Sequence, residues 1–412
     1  MIQWLPIGFD EALKKTVETI IPLGVETISL SESTGRIAAR DLVSKVDSPS
    51  INASLKDGYA VKSADLLNAS EQKPVRLTIS GYAAAGAEQQ HKVCSLKSGE
   101  AFRILTGAKL PDGADAVLAE EYVEIESKTT IIAKNVAEHN RNILPKGSDV
   151  MAGECIVKTE QPITPGFAGL LAAAGFSHIE VFKQPSVAII ATGDEVVAPG
   201  QPLPDGKLYA SNMVTLSAFC HSYGMKTLTV TVKDSIDEIK DALNHALDAA
   251  DAIITSGGAW TGDRDMIAKI LLDMGWNQVF HRIRIGPGKA VGFGMLKGKP
   301  LFILPGGPPS NLMGFLQIAL PGLMKLAGHP FPGLSKRLVS ISSELYGKDI
   351  DWTQFIFGVV QESQTNIPVF HSLRQKGRLQ SMAEANAIAI IPEGQTVIPA
   401  GSIIPVQIIS MF

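Results

Sequence analysis

Apolar and polar positions change their spacing several times along the chain, and each change predicts a different element. Residues 8–21, G-F-D-E-A-L-K-K-T-V-E-T-I-I, repeat Phe9, Ala12, Leu13, Val17, Ile20 and Ile21 at helical spacing. That pattern predicts an amphipathic helix, stopped by Pro22 and Gly24. Residues 25–30 alternate as a strand does, and a short helical piece is expected around Gly35, Arg36, Ile37 and Ala38. From 44 to 58 the texture turns polar, making one long loop that ends L-K-D-G-Y-A-V. A polar loop of this length in a compact protein is either functional or loose. Alternating segments at 75–79, 102–105 and 114–123 predict a β-rich region, and a helix is expected over 165–174.

From about Pro185 short apolar runs alternate with helical stretches. This is the signature of a parallel sheet with crossover helices. Strands are expected at 187–191, 227–232, 252–255, 279–283 and 301–304, and helices at 211–223, 235–249, 266–274 and 311–327. Beyond 331 only short alternating segments remain, at 337–341, 356–360, 387–391 and 403–409, predicting a small all-β domain.

Bulk numbers add limits. At ~150 residues per domain, 412 residues correspond to about two to four domains. A net charge of −4 and a pI near 6.1 give no basic field for nucleic acid. Cys94, Cys155 and Cys220 are far apart in odd number, which suits reduced thiols rather than a metal pattern. The start lacks a basic n-region before a long apolar run, and no uncharged stretch of ~20 apolar residues occurs, so neither a signal peptide nor a membrane span is expected. The expectation is a soluble, cytoplasmic protein.

Candidate chemistry gathers at strand ends. Residues 252–265 read A-I-I-T-S-G-G-A-W-T-G-D-R-D, an apolar strand ending in Gly257-Gly258 and then Asp263 and Asp265. Residues 187–195 have the same layout, ending Thr192-Gly193-Asp194-Glu195. Glycines without Cβ let backbone amides approach an anion, carboxylates take a divalent cation, and open α/β sheets bind ligands beyond the carboxyl ends of their strands. Each turn alone reads as ordinary turn chemistry. Two in one domain point to a site. Asp234, Gly306, Gly307 and Lys289 in its Gly-rich loop extend it. Outside this domain, Asp57 ends the long polar loop, where an Asp-Gly turn is the plain alternative; Thr106-Gly107 is a hint of a binding loop, and Asp149 ends a second polar loop. Phosphate-ester, phosphoanhydride or oxyanion-transfer chemistry fits this set. There is no Walker loop, G-x-G-x-x-G, H-E-x-x-H or G-x-S-x-G.

Taken together the motifs resemble the molybdopterin molybdenumtransferase family, called MoeA in bacteria and the gephyrin E domain in animals. They are D-G-Y-A at 57–60, R-I-L-T-G-A at 103–108, the R-N-I…G-S-D loop at 141–149, T-G-D-E at 192–195, T-S-G-G…G-D-R-D at 255–265, G-P-G-K at 286–289, P-G-G-P at 305–308 and S-M-A-E-A-N at 381–386. They cover nearly the whole chain in the family's order. The resemblance implies a multidomain α/β plus β fold. Its parts are a first helix (1–24) packing with the sheet domain, a linking domain from 25–43 and 154–182, a β-rich domain at 44–153, a parallel α/β molybdopterin-binding domain at 183–330 and a C-terminal β domain at 331–412. It implies an elongated homodimer with the site shared between subunits, and other proteins of molybdenum cofactor biosynthesis as partners. The implied reaction takes adenylylated molybdopterin and molybdate, releases AMP, leaves molybdenum on the dithiolene sulfurs and needs Mg²⁺. Carried over residue by residue, the catalytic set is Asp57, Asp149, Glu195, Asp234, Asp265 and Lys289. The pterin-binding set is Thr106, Gly257, Gly258, Pro305, Pro308 and Ser381, and the metal ligands are Glu195, Asp234 and Asp265.

The chain also departs from the family's pattern. Lys56 stands where methionine is usual, Gly286 for a lysine, Ala290 for a proline and Gly307 for an asparagine. The arginine expected near D-W-T-Q-F is missing, with Gln354 in that region. Lys56 and Arg378 are the candidate replacements. These departures keep two other readings open: a non-catalytic paralogue that binds pterin cofactor or a partner as a scaffold, and a nucleotide-cleaving enzyme acting on another substrate.

Overall fold

The apolar run before Thr192 forms Ser186–Thr192 (β1), buried along all but its first residue. The computed structural model describes residues 6–86, 95–258, 266–364, 367–374 and 376–409. In it β1 joins a six-stranded sheet with Lys226–Val232 (β2), Ala252–Ser256 (β3), Asn277–His281 (β4), Gly292–Leu296 (β5) and Lys299–Leu304 (β6), in the order β2-β1-β3-β6-β5-β4. Side chains alternate across the sheet as the strand period requires. Val187, Ile189, Ala191, Ile254, Phe302 and Leu304 enter one core, while Ala188, Ile190, Ile253, Leu301 and Ile303 enter the other.

The sheet is mixed, which corrects the expectation of a parallel one. Strands β2, β1, β3 and β6 run parallel, but β5 is antiparallel to β6 and β4 to β5. The cause is a hairpin that the apolar pattern hid. Lys297 and Gly298 both take positive φ (48° and 79°), and Leu296 pairs with Lys299 across this two-residue turn.

The helices in chain order are Phe9–Thr19 (α1), Pro165–Ala173 (α2), Ser211–Ser222 (α3), Ile236–Ala249 (α4), Met266–Asp273 (α5), Pro308–Gly314 (α6), Leu320–Leu326 (α7) and Arg378–Glu384 (α8). Leucines and isoleucines of α4 and α5 cover one face of the sheet, and α1, α3, α6 and α7 the other. The helix expected over 311–327 begins at Pro308 and contains a π turn, Phe315–Ala319, between α6 and α7.

Three further units surround this sheet. A six-stranded sheet holds Gly58–Val61, Val75–Ala83, Glu100–Ile104, Ala116–Ala119, Val123–Ser127 and Thr130–Ala133 around Tyr59, Leu77 and Leu118. The pairs Val25–Ser29 with His178–Phe182 and Leu42–Val43 with Cys155–Val157 share a small core with α2. Here the short helical piece expected near Gly35–Ala38 is absent. The Arg36 carbonyl accepts from the Ile163 amide, the Ile37 carbonyl from Phe182, and the Ala38 amide donates to Gln161, so flanking chain takes the bonds a helix would need. The C-terminal unit is a closed sheet in which Thr353–Gln361 pairs with both Val369–Ser372 and Ala387–Ile391. It is not all β, because α8 interrupts it.

The C-terminal unit and the main sheet share a core. Phe355, Ile388 and Ile409 are buried with α1 and α6, and the Phe9 and Phe355 rings meet edge to face at 5.2 Å. Gln317 in the π turn and Gln407 in strand Ile403–Ile408 are only 1% and 8% exposed, and their amides exchange hydrogen bonds of 2.6 and 3.0 Å. A buried amide left alone costs ~1–3 kcal/mol, whereas removing both partners is close to neutral. Gln317→Leu and Gln407→Leu should each lower stability by about that amount, and the double variant should recover most of the loss. Urea titrations of the three variants test this; additive losses in the double variant would mean the pair does not act as a unit.

Candidate functional site

The carboxyl ends of β1, β2, β3 and β6 form one rim. Its glycines are dictated by crowding. Gly257 has φ +108°, and a Cβ there would lie 2.4 Å from the Thr192 carbonyl oxygen. Gly258 has φ +67°, and a Cβ there would meet Ile267 Cγ1 at 2.6 Å. Asn311, buried, donates through Nδ2 to Ser256 Oγ (3.0 Å) and to the Pro305 carbonyl (2.9 Å), fastening the loop that holds Pro305 and Pro308 to β3. Asn212 donates to the Gly306 carbonyl at 2.8 Å. The Gly257 amide is spent on the Leu304 carbonyl. The amides of Gly258, Gly306 and Gly307 have no acceptor among the described residues, so these, rather than Gly257, are open to an anion.

Carboxylates stand at the same rim. The Asp234 amide donates to Asp194 Oδ1 at 3.3 Å. Local desolvation, then the charges of Asp194 and Glu195, push the Asp234 carboxyl above its ordinary value. Asp194 is thus a third acidic member that the carry-over from motifs missed, although it sits inside T-G-D-E. The hydroxyls of Thr192 and Thr255 are buried beside the glycine turn without a hydrogen-bond partner among the described residues. Asp263 and Asp265 lie outside the described residues. Among those described, no three acidic, histidine or cysteine side chains close around a metal position.

Beside the rim opens a cleft of about 900 Å³ between the main sheet and the C-terminal unit. Lys289 and Pro305 line it from the sheet side, and Lys348, Gln354 and Arg374 from the C-terminal side. Its wall is a backbone splice: Ile285–Gly286 pairs in parallel with strand Thr353–Gln361, setting Gly286 opposite Gln354. Lys348 and Arg374 have no motif to announce them and were missed by sequence reasoning. Neither Lys56 nor Arg378, the expected replacements, lines the cleft. Ser381 is not in its lining either. Its hydroxyl, 9% exposed as a residue, donates to the Leu373 carbonyl (3.0 Å) and lies within reach of the Gly377 carbonyl (3.1 Å).

The remaining expected residues lie elsewhere in the same chain. Asp57 Oδ1 accepts from the amide and the hydroxyl of Thr106, at 2.7 and 2.8 Å. Those bonds, helped by Arg103, hold the exposed Asp57 carboxyl below its ordinary value. Asp149 is exposed, its amide bound to the Ser48 carbonyl at 2.9 Å. No hydrogen bond or ion pair between described residues joins this pair of loops to the sheet rim of the same chain. Thr106→Val removes one of the two bonds to Asp57, so the Asp57 carboxyl should titrate higher than in the wild type yet stay below the ordinary range, read from its side-chain carbon shift by NMR. An unchanged titration would mean the hydroxyl bond is not made.

Known proteins share this fold. The family described as MoeA N-terminal region (domain I and II) matches residues 7–175, the probable molybdopterin binding domain residues 188–325, and the MoeA C-terminal region (domain IV) residues 346–409. The molybdopterin molybdenumtransferase of Staphylococcus aureus (strain COL) is 31% identical over 401 residues, 96% of this chain and 94% of that protein. Its Staphylococcus epidermidis counterpart is 30% identical over 405 residues, covering 97% and 95%. The crystal structure of the molybdopterin biosynthesis MoeA protein from Pyrococcus horikosii superposes with a TM-score of 0.81 at 30% identity, covering 98% of this chain and 99% of that one. Near-full-length relatives, three successive family matches and the same multidomain fold lead to one conclusion: the chain belongs to the molybdopterin molybdenumtransferase family of molybdenum cofactor biosynthesis enzymes.

Proposed function

We propose that this chain inserts molybdate into adenylylated molybdopterin with release of AMP, as a cytoplasmic homodimer that uses Mg²⁺. The observation that carries the reading is the rim, where unpartnered amides, a repelling acidic cluster and a cationic cleft stand side by side on a chain of this family. No helix among the described residues is long and apolar enough to cross a membrane. The same reading divides the chain at 24, 43, 153, 182 and 330; separate apolar cores support the division at 24, 43, 153 and 182, while at 330 the main-sheet core continues into a C-terminal unit that also has a core of its own.

The residues present fit Mg²⁺, which takes oxygen ligands, keeps several waters and is commonly bound by one or two carboxylates together with substrate phosphates. Glu195 and Asp234 would hold it, with Asp265 as the third expected ligand. Bound there, it would neutralise charge on a phosphoanhydride. The protein's own groups do the rest. The amides of Gly258, Gly306 and Gly307 donate to phosphate oxygens, and Lys289 adds a compact positive charge. Pro305 and Pro308, fixed by Asn311, shape the pterin side. Asp57, held ionised by Thr106, has no hydrogen bond or ion pair to its own rim among the described residues and serves the rim of the partner subunit, together with Asp149.

Mixing the protein with adenylylated molybdopterin, Mg²⁺ and molybdate should release AMP and transfer molybdenum. Binding without AMP release would favour the scaffold reading, which the loss of the family's lysine and asparagine at Gly286 and Gly307 motivates. Co-purified heterodimers of Asp57→Ala and Asp234→Ala chains should recover activity that neither homodimer has, and verified heterodimers without rescue would sink the shared site. Asp234 also gives a readout independent of turnover. Its folded pKa is raised, so ionised Asp234 costs stability, and that cost grows as pH rises from the ordinary carboxylate range through the raised value. Asp234→Asn should therefore melt higher than wild type in Mg²⁺-free neutral buffer, lose that advantage at pH below the ordinary carboxylate range, and gain less from added Mg²⁺. Equal Mg²⁺ stabilisation of both proteins would remove Asp234 from the metal site.

A further inference from the structure

The cleft carries more positive charge than its sheet-side loop supplies. The loop 286–290 offers one cation, Lys289, because Gly286 and Ala290 carry none. Lys348 and Arg374 reach the same cleft from two separate loops of the C-terminal unit, and Asp349 is the one carboxylate in the lining. Among the described residues none of the three cations is in an ion pair. All three are solvent-exposed, so their positive charge is available to an anion that enters the cleft.

Both loops are built, not draped. Gln354 is 6% exposed and spends its amide entirely on the first loop: Oε1 accepts the Lys348 amide at 2.6 Å, and Nε2 donates to the Asp349 carbonyl at 3.0 Å. The loop can come this close because residue 347 is glycine, where a Cβ would lie 2.7 Å from Gln354 Nε2. Ser381 does the equivalent for the second loop, through the Leu373 carbonyl next to Arg374. A buried polar side chain that ties down the residue before or beside a cation fixes where that cation can reach.

We propose that Lys348 and Arg374 form, with Lys289, the anchor for a tetrahedral oxyanion in this cleft, and that Gln354 and Ser381 are positioning residues for the two C-terminal cations. Positive charge missing from position 286 has in effect been moved to the facing domain. Lys348 supplies a point charge and Arg374 a planar fork, both able to make charge-assisted bonds to oxyanion oxygens. The identification of that anion as molybdate rests on the transferase reading above; the anchor itself rests on the cleft. Position 286 remains able to take a side chain. Gly286 is not among the positive-φ glycines, and a Cβ there would meet only Gln354 Cγ, at 3.7 Å.

Calorimetric titration of the full-length protein with molybdate, without pterin, reads the anchor directly. Lys348→Ala and Arg374→Ala should each weaken binding about tenfold or more, the scale of one lost charge-assisted bond. Sulfate should compete, and Gly286→Lys should tighten binding and partly restore the Arg374→Ala protein. Gln354→Leu and Ser381→Ala should raise the half-saturating molybdate for AMP release more than they lower the maximal rate, with Ser381→Thr restoring it; Tm monitors folding throughout. Folded Lys348→Ala and Arg374→Ala proteins that bind molybdate as wild type does, or a wild type that binds none, overturn the anchor. Loss of binding in those variants in a protein that releases no AMP would leave the anchor standing and defeat the transferase reading instead. AMP release with an unchanged molybdate response in the variants would do the reverse.

Discussion

Everything proposed for the cleft depends on one splice. The two-residue strand Ile285–Gly286 leaves the main sheet and hydrogen-bonds in parallel to strand Thr353–Gln361 of the C-terminal unit. The Thr353 amide also donates to the Arg284 carbonyl, and the Arg284 side chain reaches Glu393 and the Pro6 carbonyl. Behind this splice lie the shared core around Phe9 and Phe355 and the buried Gln317–Gln407 pair. An interface that combines apolar burial with satisfied buried amides has one favoured registry, because a shift would strand an amide in an apolar setting. Where the loops that carry Lys289, Lys348 and Arg374 stand relative to one another is therefore a property of packing.

The rim obeys a different constraint. β1 and β3 approach so closely at their carboxyl ends that the Thr192 carbonyl occupies the space a Cβ at residue 257 would need. Glycine there is a packing requirement first. Its consequence is chemical: the next residue, Gly258, turns with an amide that the sheet does not use, beside carboxylates that repel one another. Both the open amide and the raised Asp234 pKa are local costs that a bound phosphate and cation would offset. Stored cost of this kind is common at functional sites.

The β-rich unit contributes in yet another manner. The bonds from Thr106 favour the ionised form of Asp57 while it remains exposed. Among the described residues this carboxylate has no hydrogen bond or ion pair to the rim of its own chain. In the homodimer proposed above it would serve the partner subunit's rim, and activity would then depend on assembly.

Much of the fold was legible in the sequence because it is periodic. Period-two apolar runs and helical spacing are local quantities, so β1, β3, β6 and the helices α1, α3, α4 and α5 lie close to their expected positions. Strand ends with glycine and carboxylate were legible for the same reason, since a turn and its chemistry occupy adjacent residues. The β5–β6 hairpin was not, because G-F-G-M-L has too little alternation and its Lys-Gly turn is an uncommon pairing. The helical expectation at Gly35–Ala38 failed because bonds to chain more than a hundred residues away captured the backbone. The cationic cleft was least legible of all. Lys289, Lys348 and Arg374 share no motif or spacing, and the bonds by which Gln354 and Ser381 hold the neighbouring loops have no sequence signal. Local sequence determined which residue types stand at each strand end. Only tertiary packing decided which charges meet, because proximity across a domain interface is set by the closure of the core and not by distance along the chain.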